Sequence, residues 1–147
     1  MVIRPVTRAD RDSWSDLRQA LWPLQTTEHD ETVDRYLAGA AQEPLEVLLA
    51  IDAQERAVGF IELSIRAYAE GCATDRVAFV EGWYVVPTAR RRGVGTALVR
   101  AAEEWARGRG CTELGSDTEV DNAASAAAHA AAGFRETGVV RCFLKCV

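Results

Sequence analysis

Apolar residues are arranged in two different ways along the chain, which predicts a mixture of strands and helices. Short, nearly continuous apolar runs alternate with segments whose apolar residues recur every three or four positions. The runs predict strands over residues 2–6, 45–51, 57–65, 77–86, 112–118 and 139–147, with a further short strand near Phe134. The helical spacings predict four helices, from Thr7 to Pro23, over 33–41, from 94 to the glycines at 108 and 110, and over 122–132.

The order of these elements is βααβββαβαβ, with no internal repeat and no low-complexity linker. Thr7, with Asp10 three residues later, is typical of a helix N-terminus, and Pro23 ends that helix. The polar segment 52–56 between two apolar runs predicts a hairpin. A chain of 147 residues with this order predicts one α/β domain spanning 1–147.

Composition and termini place the chain among ordinary globular proteins. Hydrophobic residues make up 48% and charged residues 27% of the sequence, close to the averages for such domains. No apolar stretch approaches the roughly 18 residues that a bilayer-spanning helix needs. The segment that begins at Met1 has no apolar core of a signal peptide. We therefore expect a cytoplasmic protein.

Charge and cysteine content exclude several classes of partner. The net charge is −5, which disfavours bulk binding to nucleic acid. The four cysteines form no CxxC pair, and the chain has two histidines. We therefore expect reduced thiols, no disulfide framework and no metal. An acidic chain with one basic loop suggests an anionic ligand at that loop and a cationic ligand elsewhere.

The basic loop is the segment from Arg90 to Thr96, where an apolar strand ends and an amphipathic helix begins at once. A helix N-terminus and a glycine-rich turn direct backbone N–H groups at one point, which favours a phosphate group. A Walker A loop is excluded because its lysine is missing. A dinucleotide fingerprint is excluded because Leu98 stands where its third glycine would be. The remaining template is [QR]-x-x-G-x-[GA], which the run from Arg90 to Gly95 matches.

This turn, together with the order of elements, resembles the pyrophosphate loop of the GNAT superfamily of acyl-CoA-dependent N-acetyltransferases. The resemblance implies a single GNAT domain with a mixed, mostly antiparallel central sheet that is splayed at its fourth strand and flanked by about four helices. It also implies acetyl-CoA as the acetyl donor. The residues that it assigns to the pyrophosphate are Arg91, Arg92, Gly93, Val94, Gly95 and Thr96.

The resemblance also assigns residues around the donor's acetyl and pantetheine groups. It implies that the fourth strand splays near Gly82, a plausible bulge position, and that Trp83, Tyr84 and Val85 contact acetyl-CoA there, with the Val85 N–H polarising the thioester carbonyl. Asn122 is implied to face the pantetheine arm, although a plain N-cap fits this residue equally well. His129 stands where the superfamily commonly has a tyrosine that protonates the departing thiolate, so either this imidazole or water could supply that proton.

Two acidic residues suggest a cationic acceptor. Glu81 interrupts the apolar strand that leads to the glycine turn, and Asp117 ends the next predicted strand. A buried carboxylate is costly unless it is paired or hydrated. Two carboxylates in one cleft could bind an ammonium group and help to remove its proton.

The segments Leu21-Trp22-Pro23, Phe79-Val80-Glu81-Gly82 and Ser116-Asp117-Thr118 resemble the small dimeric aminoglycoside 6′-N-acetyltransferases. The resemblance spans residues 2–146. It implies that Trp22, Tyr68, Glu81 and Asp117 contact the aminoglycoside. Two positions depart from it: a histidine contact falls on Gln25, and a late acidic contact falls on Gly138.

These observations lead to a functional hypothesis. The chain would transfer acetyl from acetyl-CoA to the 6′-amine of aminoglycosides by direct attack in a ternary complex, and so confer antibiotic resistance. The alternatives are acetylation of a protein N-terminus or a polyamine, and a non-catalytic acyl-CoA-binding module. The resemblance further implies a homodimer, for which the final predicted strand, with Phe143, is a candidate interface.

Overall fold

The computed structural model describes residues 1–25 and 28–147. Within these residues no helix combines the length and the apolar character that a membrane crossing requires. The strands are β1 (Val2–Pro5), β2 (Glu46–Ile51), β3 (Ala57–Arg66), β4 (Val77–Val85) and β5 (Leu114–Gly115). The helices are α1 (Arg11–Leu21), α2 (His29–Leu37), α3 (Val94–Gly108) and α4 (Ala123–Ala131).

The five strands form one sheet in the order β1-β2-β3-β4-β5. The first four pair antiparallel in sequence order, and β5 pairs parallel with β4 after the crossover through α3. This is the mixed, mostly antiparallel sheet with four helices that the sequence predicts. The parallel pair places the N-terminus of α3 at the end of β4.

Side chains of the sheet are buried on both faces. On one face Trp14 of α1 and Val33 of α2 pack with Phe60, and all three are fully buried. On the other face Leu98 of α3 packs with Ile61, and both are fully buried. Because successive side chains of a strand point to opposite faces, β3 contributes to both layers. This explains why the segment reads as an almost continuous apolar run.

A β-bulge interrupts the pairing of β3 with β4. Glu62 lies opposite Gly82, whereas Leu63 lies opposite Val80, so Glu81 is the extra residue. The sequence points to Gly82 as the bulge position. Glycine at position 82 instead leaves room for the Trp22 ring, because a Cβ there would lie 2.5 Å from that ring. The bulge thus presents Glu81 beside an aromatic side chain.

The sheet is open between β4 and β5. The predicted strand over 112–118 is wrong in length, since only Leu114 and Gly115 pair, with Ala78 and Phe79. From Val80 to Val85, β4 therefore has no strand partner on this side in the described part of the chain. We call this opening the cleft. It confirms the predicted splay at the fourth strand.

The predicted final strand is wrong for the isolated chain. Residues 134–147 form no strand, and the expected short strand near Phe134 is likewise not formed. A strand requires a neighbour for its backbone groups, and sequence pattern alone does not say which chain provides it. Phe143 and Leu144 are each 91% exposed, so this apolar segment lacks a cover within the monomer.

Candidate active site

The turn before α3 has the geometry of an anion-binding loop. Gly93 caps the helix with φ of 79°, and Arg91 also has a positive φ, of 61°. The first intrahelical bond runs from the Ala97 N–H to the Gly93 carbonyl, at 2.9 Å. The preceding N–H groups therefore have no acceptor within the helix. A diphosphate could accept from these N–H groups and gain from the helix dipole.

Glycine at position 95 fits the close approach of this turn to β4. A Cβ on Gly95 would lie 3.1 Å from the Trp83 ring, which is tighter than most Cβ contacts. A Cβ on Gly93 would meet no atom within 4 Å, so the other side of the turn is open. Arg91 and Arg92 are exposed there. The residues that the sequence assigns to the pyrophosphate are thus gathered around one open, positively charged turn.

The edge of β4 presents backbone groups to the cleft. The Val86 N–H donates to the Val58 carbonyl of the β3 side, at 2.9 Å. Because N–H and C=O groups alternate between the two edges of a strand, the Val85 N–H and the Trp83 carbonyl face away from β3, toward the cleft. The guanidinium Nε of Arg90 donates to the Val85 carbonyl at 2.8 Å and fixes this end of the strand.

The resemblance assigns two residues at α4 to the donor side, Asn122 directly before the helix and His129 within it. The Asn122 side-chain oxygen accepts from the Ser125 N–H at 3.0 Å, so Asn122 is the N-cap of α4. Asn122 is itself exposed. The His129 Nδ1 lies 2.7 Å from the Ser125 carbonyl, which can only accept, and the Nε2 lies 2.8 Å from Ser116 Oγ. Both ring nitrogens of His129 are therefore already hydrogen-bonded.

A cavity of about 350 Å³ lies on the α1 side of the bulge. Trp22 and Glu81, two residues that the sequence assigns to the acceptor, both line it. Gln25, where the resemblance has a histidine, lines it as well. The remaining lining residues are Arg18, Thr32, Glu43, Pro44 and Glu62. Its volume is in the range that small-molecule sites occupy.

Glu81 is held by two neighbours on β3. Ser64 Oγ donates to one carboxylate oxygen, and Arg66 donates to both, at 3.0 Å from Nε and 2.8 Å from its terminal nitrogen. The Arg66 guanidinium also stacks on Phe79, 3.6 Å from the ring centroid. Glu81 is thus a fixed, charge-compensated carboxylate at the cavity.

Asp117 and Tyr68 lie nearer to solvent. The pKa of Arg66 is raised, chiefly by its hydrogen bond with Glu81 and also by the charges of Asp117 and Glu43. The charge of Asp117 therefore acts on the same guanidinium as that of Glu81, although Asp117 is exposed. Tyr68 is 66% exposed and is not among the residues that line the cavity. Its pKa is raised, with a hydrogen bond to Glu70 as the main cause.

Sequence reasoning missed the polar face of β3. Glu62, Ser64 and Arg66 occupy alternate positions and therefore share the face that borders the cavity. The signal was present as a period of two within an apolar segment, Ile61-Glu62-Leu63-Ser64-Ile65-Arg66. Reading residues 57–65 as one apolar run concealed it.

Comparisons with known proteins agree with this geometry. Residues 12–134 match the family model described as acetyltransferase (GNAT) family. The chain is 55% identical over 145 residues to an aminoglycoside N(6′)-acetyltransferase type 1 of Klebsiella aerogenes, covering 98% of this chain and 95% of that protein.

Two solved structures show the same fold over nearly the full length. The apo aminoglycoside antibiotic 6′-N-acetyltransferase AAC(6′)-IG of Acinetobacter haemolyticus has a TM-score of 0.91 and 39% identity, covering 100% of this chain and 99% of that one. The enzyme AAC(6′)-Iy, in complex with the bisubstrate analogue CoA-S-monomethyl-acetylneamine, has a TM-score of 0.90 and 34% identity, covering 99% and 98%.

Proposed function

The chain belongs to the acetyltransferase (GNAT) family, and on that basis we propose that it is an aminoglycoside 6′-N-acetyltransferase that uses acetyl-CoA. The observation that carries the proposal is that two differently charged sites both adjoin β4. The basic turn at α3 and the cleft suit an anionic thioester, and the acidic cavity at Glu81 suits a cationic amine. Because β4 contributes to both sites, the two reactants would meet beside this strand.

The donor side would work through positioning and backbone polarity. The turn from Arg91 to Thr96 would hold the pyrophosphate, and Asn122 with the edge of β4 would hold the pantetheine arm. The Val85 N–H would then donate to the thioester carbonyl as negative charge develops on its oxygen. This role is supported by the direction of that N–H, which faces the cleft and not β3.

The acceptor side would bind an ammonium group and deliver a neutral amine. Glu81 and Asp117 would attract the ammonium, and Trp22 would form one wall beside it. Proton loss, to a carboxylate directly or through water, must precede attack because an ammonium nitrogen has no lone pair. The amine nitrogen then bonds to the acetyl carbon as the carbon–sulfur bond breaks. The nitrogen loses one proton to become the amide, and the departing thiolate takes up one proton.

The direct test is an acetyl-transfer assay with several amines side by side. We expect thiol release from acetyl-CoA with kanamycin and tobramycin, and at least 100-fold lower kcat/KM with spermidine or an N-terminal peptide, the scale that unpaired polar groups produce. Loss of turnover with an analogue that carries a hydroxyl in place of the 6′-amine would assign the position. Turnover on the peptide or on spermidine alone would overturn the substrate class. Thermal stabilisation by acetyl-CoA without turnover on any amine would indicate a binding module.

We further propose that the chain is a single domain and that it works as a homodimer in the cytoplasm. Acetyl-CoA is a cytoplasmic metabolite, which supports the location. The dimer is supported by the C-terminal segment 139–147, whose Val139, Val140, Phe143 and Leu144 are all exposed. This segment is rich in β-forming residues and has no strand partner within the described chain. We expect a second copy of the chain to supply the strand with which this segment pairs.

Size-exclusion chromatography with light scattering tests the dimer. The wild-type chain should have twice the mass of the 16.1 kDa monomer. A variant that combines Phe143→Asp with Leu144→Asp should elute as a monomer because buried unpaired charges oppose the interface. Val120→Asp, at a residue that is 80% exposed on another loop, is the matched control and should remain dimeric. A monomeric wild type would refute the proposal.

A further inference from the structure

A second carboxylate, Glu62, lies at the wall of the acceptor cavity and has not been assigned a role. It projects from β3 directly across from the bulge that contains Glu81. Its side chain is only 4% exposed, yet it is one of the residues that line the cavity. Burial raises the pKa of Glu62, and the nearby Glu81 acts in the same direction, whereas the ion pair with Arg18 opposes them.

One oxygen of Glu62 is fully engaged. Its Oε1 accepts from the Trp14 indole N–H at 2.9 Å and from a terminal nitrogen of Arg18. Trp14 and Arg18 are separated by one helical turn on α1, so a single helix face holds this oxygen. Oε1 therefore has a structural function that fixes the orientation of the carboxylate.

A hydrogen-bond relay continues from Arg18 to the aromatic wall of the cavity. The Arg18 Nε donates to His29 Nδ1 at 3.3 Å, so the neutral His29 ring must carry its proton on Nε2. That nitrogen lies 2.9 Å from the Trp22 carbonyl, to which it donates. Glu62 and Trp22 are thus parts of one rigid wall.

The second oxygen of Glu62 has no such partner. Within residues 1–25 and 28–147, no donor makes a hydrogen bond with Oε2. Among the described residues, the fully enclosed side-chain polar atoms without a partner are Trp83 Nε1 and Trp105 Nε1, so Oε2 of Glu62 is open to the cavity that this residue lines. A buried ion pair is in itself weak evidence for stability. An oriented carboxylate with one vacant acceptor at a cavity wall is the arrangement expected of a ligand-binding group.

We propose that Glu62 binds the acceptor, its Oε2 receiving a hydrogen bond from an amine or hydroxyl group other than the amine that is acetylated. The inference rests on the proposed function and extends it, since Glu81 and Asp117 then hold the reacting amine while Glu62 holds a second donor of the same molecule. Arg18 opposes the rise in the pKa of Glu62 and offers the carboxylate a compensating positive charge, so the site recognises a donor group by its position.

The test compares Glu62→Gln with a double variant, Arg18→Met combined with Glu62→Met. The single variant should raise KM for kanamycin about tenfold, equivalent to about 1.4 kcal/mol, because a charge-assisted hydrogen bond has about this magnitude. The KM for acetyl-CoA should stay within about twofold. Glu46→Gln, a partly buried glutamate on β2 that does not line the cavity, is the matched control.

The double variant separates binding from folding. Apolar side chains often replace a buried ion pair without loss of stability, so its Tm should recover relative to the single variant while KM for kanamycin stays high. A KM that returns to the wild-type value together with the Tm would show a purely structural role and overturn the inference. Wild-type protein that neither binds nor acetylates kanamycin would refute the proposed function instead. Active wild type with an unaffected Glu62→Gln variant would refute this inference alone.

Discussion

Replacing Glu81 with glutamine should lower kcat/KM for an aminoglycoside about 100-fold or more, the scale of losing a group that binds the amine and handles its proton. The affinity for acetyl-CoA should not change. Two effects add: the attraction for the ammonium is lost, and the Arg66 guanidinium is left without its counter-ion at the cavity wall. Steady-state kinetics with each substrate varied in turn would measure the ratio.

The role of Arg66 in this effect can be isolated by a double-mutant cycle. Arg66→Gln combined with Glu81→Gln removes the uncompensated cation and should regain part of the lost kcat/KM. Asp117→Asn should have a smaller effect in the same direction because Asp117 is exposed. Glu103→Gln on α3, where the partly exposed carboxylate pairs with Arg107, serves as the control for loss of one charge. Unchanged kinetics in Glu81→Gln would remove the residue from the proposed site.

Replacing Gly95 with valine should raise the Kd for acetyl-CoA about 30-fold, equivalent to about 2 kcal/mol, the magnitude of one hydrogen bond to a charged group. The valine Cβ would already lie 3.1 Å from the Trp83 ring, and its methyl groups would force the turn away from β4. The N–H groups that would bind the pyrophosphate would then lose their common direction. Isothermal titration with acetyl-CoA measures the effect.

The control for this substitution is available on the same helix. Gly108→Ala lies at the far end of α3, where a Cβ meets no atom within 4 Å, and it should leave the Kd unchanged. Circular dichroism of both variants would show whether the helix is retained. A folded Gly95→Val protein with wild-type affinity would show that the pyrophosphate lies elsewhere.

The sequence predicted most of the fold because its elements are determined locally. The core strands are short apolar runs, α3 carries periodic apolar positions, and α4 has an asparagine N-cap and an alanine-rich body, so the positions of these elements follow from pattern and propensity. The prediction of the final strand was wrong because a sequence pattern reports only the tendency to form a strand. Phe143 and Leu144 have that tendency, but no neighbouring strand within the described chain pairs with them.

The candidate site was predictable in part for a similar reason. The glycine turn is a contiguous motif, so its residues could be named from the sequence, and in the structure this turn precedes and caps α3. The pairing of Arg66 with Glu81 depends on the bulge, which shifts register by one residue and has no reliable sequence signature. Glu62 was missed because its partners on α1, Trp14 and Arg18, are more than 40 residues away along the chain.

The guanidinium of Arg66 has a consequence for selectivity among the amines of a cell. Before any substrate arrives, the carboxylate of Glu81 already has a cation beside it. When a small monoamine binds, its ammonium group weakens the ion pair of Arg66 with Glu81, so the net binding energy is only the difference between the two interactions. Abundant metabolites with one ammonium group should therefore compete weakly. A molecule with several ammonium groups can also reach the charges of Glu43 and Asp117, which act on the same guanidinium. Discrimination would then come from the number and spacing of charges on the acceptor, and the cell's acetyl-CoA would be protected from futile consumption.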